Sequence, residues 1–370
     1  MTRRLILAGG GHSHIEVLRR FAIAPPPDVE IFLVTPFPRL VYTGMLPGLI
    51  AGQYQRAECE IDLGTLAARA GVAVTVGEVT GLDPESKSVR LSDDSWLDYD
   101  WLSLNLGSTP PLDRVEGAAR HAVPVKPVHH FLDWLDAILA SGADAFPLTI
   151  AIIGAGAGGV ELALTLEHRS RIAAGTKSFG EIFLVTDWHD IMPGHSPLAR
   201  RWLKNILAGR GITVNVDARV VEVGATRLMC ADGRYFDYDH VISTGSGPPR
   251  WIAGSGLAID ENGFVAVGDT LQSTSHPNVF AAGDLADMVG AKRPKAGVYA
   301  VRHGPVLAKN LRCTLAGCTL HAHTPQRHAL AILGTGEGHA VASRGPLALK
   351  GRWVWWWKDR IDRAFAAKYR

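Results

Sequence analysis

Apolar residues fall along this chain in two copies of one pattern. Residues 4–9 (RLILAG) form a short apolar run closed by glycine, and HSHIEVLRRFAIA after it sets Ile15, Leu18 and Ala22 at helical spacing. A second apolar run occupies residues 31–34. Runs without polar alternation suit strands buried on both faces, and strand, glycine turn, helix and strand within about 30 residues make a βαβ unit. Segments 72–79 (VAVTVGEV), 87–91 and 101–106 (WLSLNL) read as further strands, parted by Gly, Pro and Asp turns. From residue 149 the pattern restarts as TIAIIGAGAGGVELALTLEHR, with EIFLVTD at 181–187 as the next strand. Between the copies, HAVPVKPVHH (121–130) has the texture of a linker and sets a boundary near 118. A last strand at 279–282 (VFAA) ends in Gly283-Asp284, and beyond about 325 short strand-like pieces lead into a tryptophan-rich basic tail. The expected fold is α/β, with two Rossmann-like three-layer dinucleotide-binding domains and a small C-terminal α+β region.

Composition narrows the function classes. With 370 residues, 47% apolar and 20% charged, the chain is long enough for two or three cores. A net charge of +2 gives no reason to expect nucleic acid. The four cysteines, Cys59, Cys230, Cys313 and Cys318, form no dense framework, which suits a reducing compartment and a cytoplasmic protein. The apolar stretch after the basic start Met1-Thr2-Arg3-Arg4 is too short for a signal-peptide core, and no run reaches the roughly 20 residues of a membrane span. Cys313, Cys318, His321, His323 and His328 are soft ligands at spacings unlike zinc motifs, so no metal is expected.

The glycine loops carry the chemistry. A dinucleotide pyrophosphate sits against a helix N-terminus, where free N–H groups and the helix dipole favour negative charge, and side chains there would block it. Gly154-x-Gly156-x-x-Gly159 follows a strand and opens a helix, the context that gives the motif its force. Asp187 stands where a carboxylate would hold a ribose hydroxyl, which favours NADH over NADPH. In the first loop, Gly9-Gly10-Gly11-His12-Ser13-His14, the third glycine position holds His14, and the next strand ends Thr35-Pro36 without a carboxylate. His12 and His14 are assigned to cofactor contact or packing.

Three more segments point the same way: LSLNLGS (102–108), VISTGSGPP (241–249) and TSHPNVFAAGDLADM (274–288). The last resembles the motif by which glutathione-reductase-like flavoproteins bind the FAD ribityl chain, ending in Gly283-Asp284. Within that superfamily the chain resembles type II NADH:quinone oxidoreductases and sulfide:quinone oxidoreductases. GGGHSHIEVLRRF, VYTGMLPGLIAGQY, RPKAGVYAVRHGPVLAKNL and KDRIDRAF are similar to segments of the family fused ahead of selenide, water dikinase, whose kinase portion is absent here. The resemblance implies an FAD-binding domain in two parts, 1–117 and 265–325, an NAD(P)-binding domain at 118–264, and a C-terminal interface or membrane-docking region at 326–370. It implies FAD on Gly9, Gly11, His12, Ser13, Thr43, Gly44, Met45, Gly107, Ser108, Gly283, Asp284, Ala296 and Gly297. It places NADH or NADPH on Gly154, Gly156, Gly159, Asp187, Thr244 and Gly245.

The chain also departs from its relatives. Where disulfide reductases carry a cysteine pair, it reads Val41-Tyr42-Thr43-Gly44-Met45-Leu46, so thiol chemistry at the flavin is not expected. Electrons would instead pass from NAD(P)H through FAD to a quinone-like acceptor. Quinone-type members carry a glutamine-containing helix near the ring; this chain has Lys295-Ala296-Gly297 at the head of that segment. A helix starting near Ala296 would aim its N-terminus at the ring. Glu161 and Lys295 are the candidate catalytic residues, Glu161 to gate the nicotinamide or relay protons, with a surface or packing role as its alternative. Lys126 reads as a solvated linker lysine within reach of the same cleft.

The tail is distinct. Residues 350–370 carry seven Lys or Arg against two Asp, and Val354, Trp357, Ile361 and Phe365 recur at helical spacing. Two readings stay open: an interfacial helix on anionic lipid at the inner face of the cell membrane, or packing onto the body of the protein or across a homodimer interface. The rival functions are a soluble flavoprotein reductase serving a redox protein or metabolite, and a non-catalytic flavin-binding sensor.

Overall fold

The computed structural model describes residues 3–141, 147–172 and 179–370. Two parallel five-stranded sheets organise it. In the first, the strands run Val279–Ala281, Trp101–Leu104, Arg3–Ala8, Val29–Thr35, Ala73–Val76 across the sheet. Leu5, Ile6, Leu7 and Ala8 are fully buried, as an unalternating apolar run at the centre of a covered sheet requires. In the second, the order is Ala122–Pro124, His240–Ser243, Leu148–Ile153, Phe179–Val185, Thr213–Asn215, with Leu148–Ile153 central. In both sheets the chain leaves the central strand at a glycine loop and the strand order reverses there, the place where open α/β sheets bind ligands.

The first sheet is made from stretches far apart in sequence, because Val279–Ala281 pairs with Trp101–Leu104. The helix Gly297–Ala316 then packs on His12–Ile23, where Gly304 lets the two approach closely over Glu16. The expected strand at 72–79 is two strands, Ala73–Val76 and Val79–Asp83. The Gly77 N–H gives the last bond to the parallel sheet, at Thr35 O, and the chain then enters the antiparallel hairpin sheet formed with Ser88–Leu91 and Trp96–Asp98.

The C-terminal region is a three-stranded antiparallel sheet, Ala331–Gly334, Ala340–Arg344 and Leu347–Gly351, followed by the helix Arg352–Ala367. It has a small core of its own at Ala340, Ala342 and Val354 and also feeds the two larger ones. Leu333, Val341 and Ala366 join the core of the second unit, and Tyr369 joins that of the first. The apolar stripe read from the sequence is divided: Val354 is fully buried and Phe365 stacks on Tyr42, while Trp357 and Ile361 stay exposed beside Trp353 and Trp356. The inward face also carries Lys358 and Asp362, which bury because they pair at 2.6 Å.

Candidate functional site

A cavity of about 580 Å³ runs from the first glycine loop to the join between the two units, within the rough 300–1,000 Å³ range of ligand pockets. Gly9, Gly11 and His12 form its floor at the mouth of the helix His12–Ile23. Gly9 has φ +92°, and a Cβ there would lie 2.5 Å from the Asn105 carbonyl oxygen. Asn105, which the sequence reading did not single out, sits over this helix start: its Oδ1 accepts from the Ser13 N–H at 3.0 Å and its Nδ2 donates to Ala282 O at 2.9 Å. One side chain thus ties the helix start to the strand that precedes Gly283.

His14 explains how the loop works without its third glycine. Its Nδ1 lies 2.6 Å from Gly9 O and its Nε2 2.8 Å from Ser103 Oγ. A carbonyl only accepts, so Nδ1 carries the proton and Nε2 accepts from the serine. Burial lowers its pKa to about 4, which keeps the ring neutral. The close packing that glycine would give is replaced by a hydrogen-bonded ring. Ser13 also turns away from the cavity, and its hydroxyl donates to Ala300 O at 2.7 Å.

The cavity's polar centre is Asp284. Its Oδ2 accepts from Lys126 Nζ at 2.7 Å and from Ser108 Oγ at 3.2 Å, and Ser108 in turn accepts from Ser246 at 2.6 Å. Burial opposes its ionisation, but the Lys126 ammonium and the Ser108 hydroxyl hold the carboxyl below its ordinary range. Lys126 is therefore no solvated linker residue; it reaches across the join into the site. Gly283 is positioned from behind, its N–H donating to His303 Nδ1 at 3.1 Å. His12 lies against Tyr42 and Phe365, and its Nε2 is buried with no hydrogen-bond partner among the described residues. Burial lowers its pKa to about 4.

Thr43, Gly107 and Gly297 line the cavity, and Ala296 caps the helix Gly297–Ala316. Met45 is buried in the second core. Gly44 is small because of Tyr42, whose ring would meet a Cβ at 2.5 Å. Lys295 is not brought to the cavity. Its Nζ donates to Ala286 O at 2.7 Å, lies 3.3 Å from Asp287 and sits over the Phe264 ring. At the far end, where the second strand offers no carboxylate, Glu78 lines the wall beside Phe37, which stacks on His129 at 4.1 Å. Sequence reading did not single out Glu78, Asn105 or His129, although each lies in a segment it quoted, because their roles depend on contacts made in the folded protein.

At the second loop Gly154 has φ +108°, and a Cβ on Gly159 would collide with the Gly154 carbonyl, so helix and strand pack as the fingerprint demands. Thr244 Oγ1 donates to Ile153 O at 3.0 Å, and Gly245 packs on Pro111. Asp187 is exposed beyond the strand Phe179–Val185. Trp188 stands over the loop, its indole 3.7 Å from where a Cβ of Gly156 would be. Glu161, in the first turns of the helix Ala157–Ile172, turns to the C-terminal sheet, where its Oε1 accepts from the Gly334 N–H at 2.6 Å. Burial and Asp362 raise its pKa and Lys358 and the Gly334 N–H lower it, for a net value of about 7.

A cradle where two glycines admit no side chain, a paired carboxylate beside it and an unpartnered imidazole nitrogen fit a flavin dinucleotide. The family model for pyridine nucleotide-disulphide oxidoreductases matches residues 4–304. The chain belongs to that family. It is accordingly an NAD(P)H-dependent flavoprotein oxidoreductase that uses FAD. A demethylphylloquinone reductase of Synechocystis is 26% identical over 94% of this chain and 90% of its own length. The sulfide:quinone oxidoreductase of Aquifex aeolicus superposes with a TM-score of 0.77 at 18% identity, covering 100% of this chain and 91% of that one. NDH2 of Plasmodium falciparum in complex with NADH gives 0.77 at 15% identity, over 99% and 97%. This member of the family departs from its name, because no cysteine is among the described residues that line the cavity. Cys59 is buried in the second core, where burial pushes its thiol up to about 12.

Proposed function

We propose that the protein oxidises NAD(P)H and reduces a quinone-like small molecule without a redox-active disulfide, docked on an anionic membrane surface. The observation that carries this reading is the cavity wall, which combines a dinucleotide cradle and the Lys126–Asp284 pair with no thiol. When bound, FAD supplies the chemistry, taking a hydride from NAD(P)H and passing electrons to the acceptor.

The chain's residues orient and tune. Gly9, Gly11 and the helix start behind them receive the pyrophosphate. Ser108 and Asp284 would hold the hydroxyl-bearing chain of FAD, with Lys126 keeping the carboxylate ionised, and the helix N-terminus at Gly297 would favour negative charge on the bound group. Gly154, Gly156, Gly159, Thr244 and Gly245 hold the nicotinamide dinucleotide, and the Asp187 carboxylate, a ribose-hydroxyl acceptor, favours NADH. Glu161 takes and releases a proton on the acceptor side, a role suited to a carboxyl with a pKa of about 7.

The tail supports the membrane reading over a soluble reductase. Its inner face is packed, yet Leu347, Trp353 and Trp356 are 70%, 54% and 66% exposed, beside the basic Lys350, Arg352 and Arg360. Exposed aromatics flanked by cations match an anionic lipid surface on the cytoplasmic side. No helix among the described residues is long and apolar enough to cross a membrane.

The test is the anaerobic visible spectrum of the FAD-loaded protein. Bleaching by NADH followed by recovery on adding a short-chain quinone is expected. Bleaching without recovery would move the reading to a soluble reductase, and a flavin that never bleaches would leave a sensor.

A further inference from the structure

Two carboxylates in the cavity wall stand on opposite flanks of the first glycine loop. Of the described residues that line the cavity, only Asp284 and Glu78 are acidic. In the first sheet the strand Arg3–Ala8, which leads into Gly9, lies between Trp101–Leu104 and Val29–Thr35. Asp284 follows Val279–Ala281, the strand beyond Trp101–Leu104, and Glu78 follows Ala73–Val76, the strand beyond Val29–Thr35. A dinucleotide whose pyrophosphate sits on the loop therefore extends one half toward each carboxylate.

The end of the second strand has little to offer a ribose hydroxyl. The Thr35 hydroxyl turns back on its own chain, donating to Phe37 O at 3.1 Å and accepting from the Phe37 N–H at 3.4 Å. Pro36 has no N–H, and Arg39 on the same wall is drawn to Glu60 at 3.1 Å. Glu78 stands beside this strand end, because the Gly77 N–H donates to Thr35 O at 3.1 Å. The hairpin fixes its backbone, the Ser92 N–H donating to Glu78 O at 2.9 Å. Asp284 is engaged by Lys126 and Ser108. The Glu78 carboxylate has no hydrogen bond or ion pair among the described residues.

We propose that Glu78 holds the adenosine ribose of FAD, in place of the carboxylate that the second strand lacks. In the usual dinucleotide fold that carboxylate ends the second strand; here the acceptor has moved one strand outward. Neighbouring strands lie about 4.8 Å apart, a gap that an extended glutamate side chain spans. The inference rests on the seat proposed above for the pyrophosphate at Gly9 and Gly11.

The test compares FAD with its 2′,3′-dideoxyadenosine analogue, which lacks only the hydroxyls in question. Each is exchanged into the protein, and its dissociation constant is read from flavin fluorescence. The natural protein is expected to bind FAD at least about tenfold more tightly than the analogue, as hydrogen bonds to a charged acceptor allow. Glu78→Ala should bring FAD down to the analogue's affinity and leave the analogue within about twofold, the signature of a direct coupling. Glu78→Gln, which keeps an acceptor without the charge, should fall between. The position is exposed, so neither variant opens the core. An equal loss for both ligands in Glu78→Ala, an unchanged FAD affinity, or a natural protein indifferent to the two hydroxyls overturns the proposal. So does a loss that disappears with the hypoxanthine analogue of FAD instead, which would give Glu78 to the adenine amino group. FMN reads the pyrophosphate seat separately: FMN bound as tightly as the dideoxy analogue would fail that seat, with the Glu78 coupling still read from the other two ligands. Anaerobic bleaching by NADH on the same samples reads the proposed function.

Discussion

Lys126 Nζ and Asp284 Oδ2 lie 2.7 Å apart, joining the turn between the strand Ala122–Pro124 and the helix Val128–Ala140 of one unit to the acidic residue that closes the other. The pair is well buried on the carboxylate side and partly exposed on the lysine side. Lys126→Met should cost about 1–3 kcal/mol of stability, below the figure for a fully buried pair because solvent screens the lysine. It should also weaken FAD retention at least several-fold. Urea unfolding and the flavin-to-protein absorbance ratio measure both; unchanged retention would remove Lys126 from the site.

Acid should unfold the protein in two stages of different origin. His12, His14 and His303 are held neutral by burial, each with its pKa lowered to about 4. The unfolded chain, with histidine near 6.5, binds more protons between those values, so stability falls as pH drops from about 6.5 toward 4. Asp284 and Glu16 are depressed below the carboxylate range, Glu16 against its burial by Arg19, Lys368, Arg20 and Tyr369. Their contribution is present above the ordinary carboxylate pKa and is lost below it. Urea midpoints across pH 3–8 should show a first decline that His14→Gln reduces and a second that it leaves in place.

His14→Ala should cost about 2–4 kcal/mol, since it opens space against the central strand and leaves the Gly9 carbonyl and Ser103 hydroxyl without their partner. His14→Gly, which restores the usual third glycine, should not rescue it, because Ser103 remains unpaired. Thermal denaturation compares the two.

Trp188 covers the second glycine loop at Gly156, so a dinucleotide arriving there must touch or displace the indole. NADH should quench the tryptophan emission, and Trp188→Phe should remove most of that change. A quench of equal size in Trp188→Phe would place the reporter elsewhere.

The outer face of the tail should bind lipid through both area and charge. The variant with Trp353 and Trp356 changed to Ser should pellet with anionic vesicles at least tenfold less well, and added salt should weaken the natural protein's binding. Equal pelleting with zwitterionic vesicles would remove the basic residues from the argument. A dimer that dissociates in the same variant would give the face to a second copy of the chain.

Local signals were enough to read much of this protein. Two unalternating apolar runs, each ending in glycines before a helical stretch, specify two parallel strands and two dinucleotide loops, because strand burial and turn chemistry depend on neighbours in the chain. Asp284 was legible for the same reason. The absence of a cysteine from residues 41–46 was equally plain. What the sequence left open or misplaced depends on groups that meet only when the sheets assemble. Lys126 looked like a solvated linker residue but lies 158 positions from the carboxylate it neutralises. Asn105 stood within LSLNLGS without being singled out, yet from the end of the neighbouring strand it accepts the Ser13 N–H at the start of the first helix. Lys295 stood in a promising place and is instead tied to Ala286 and Asp287. The tail's periodicity announced an amphipathic helix without saying which face turns inward, since a polar residue can be buried wherever its partner waits, and the partners of Lys358 and Asp362 at Gly44 and Tyr42 lie more than 300 residues away.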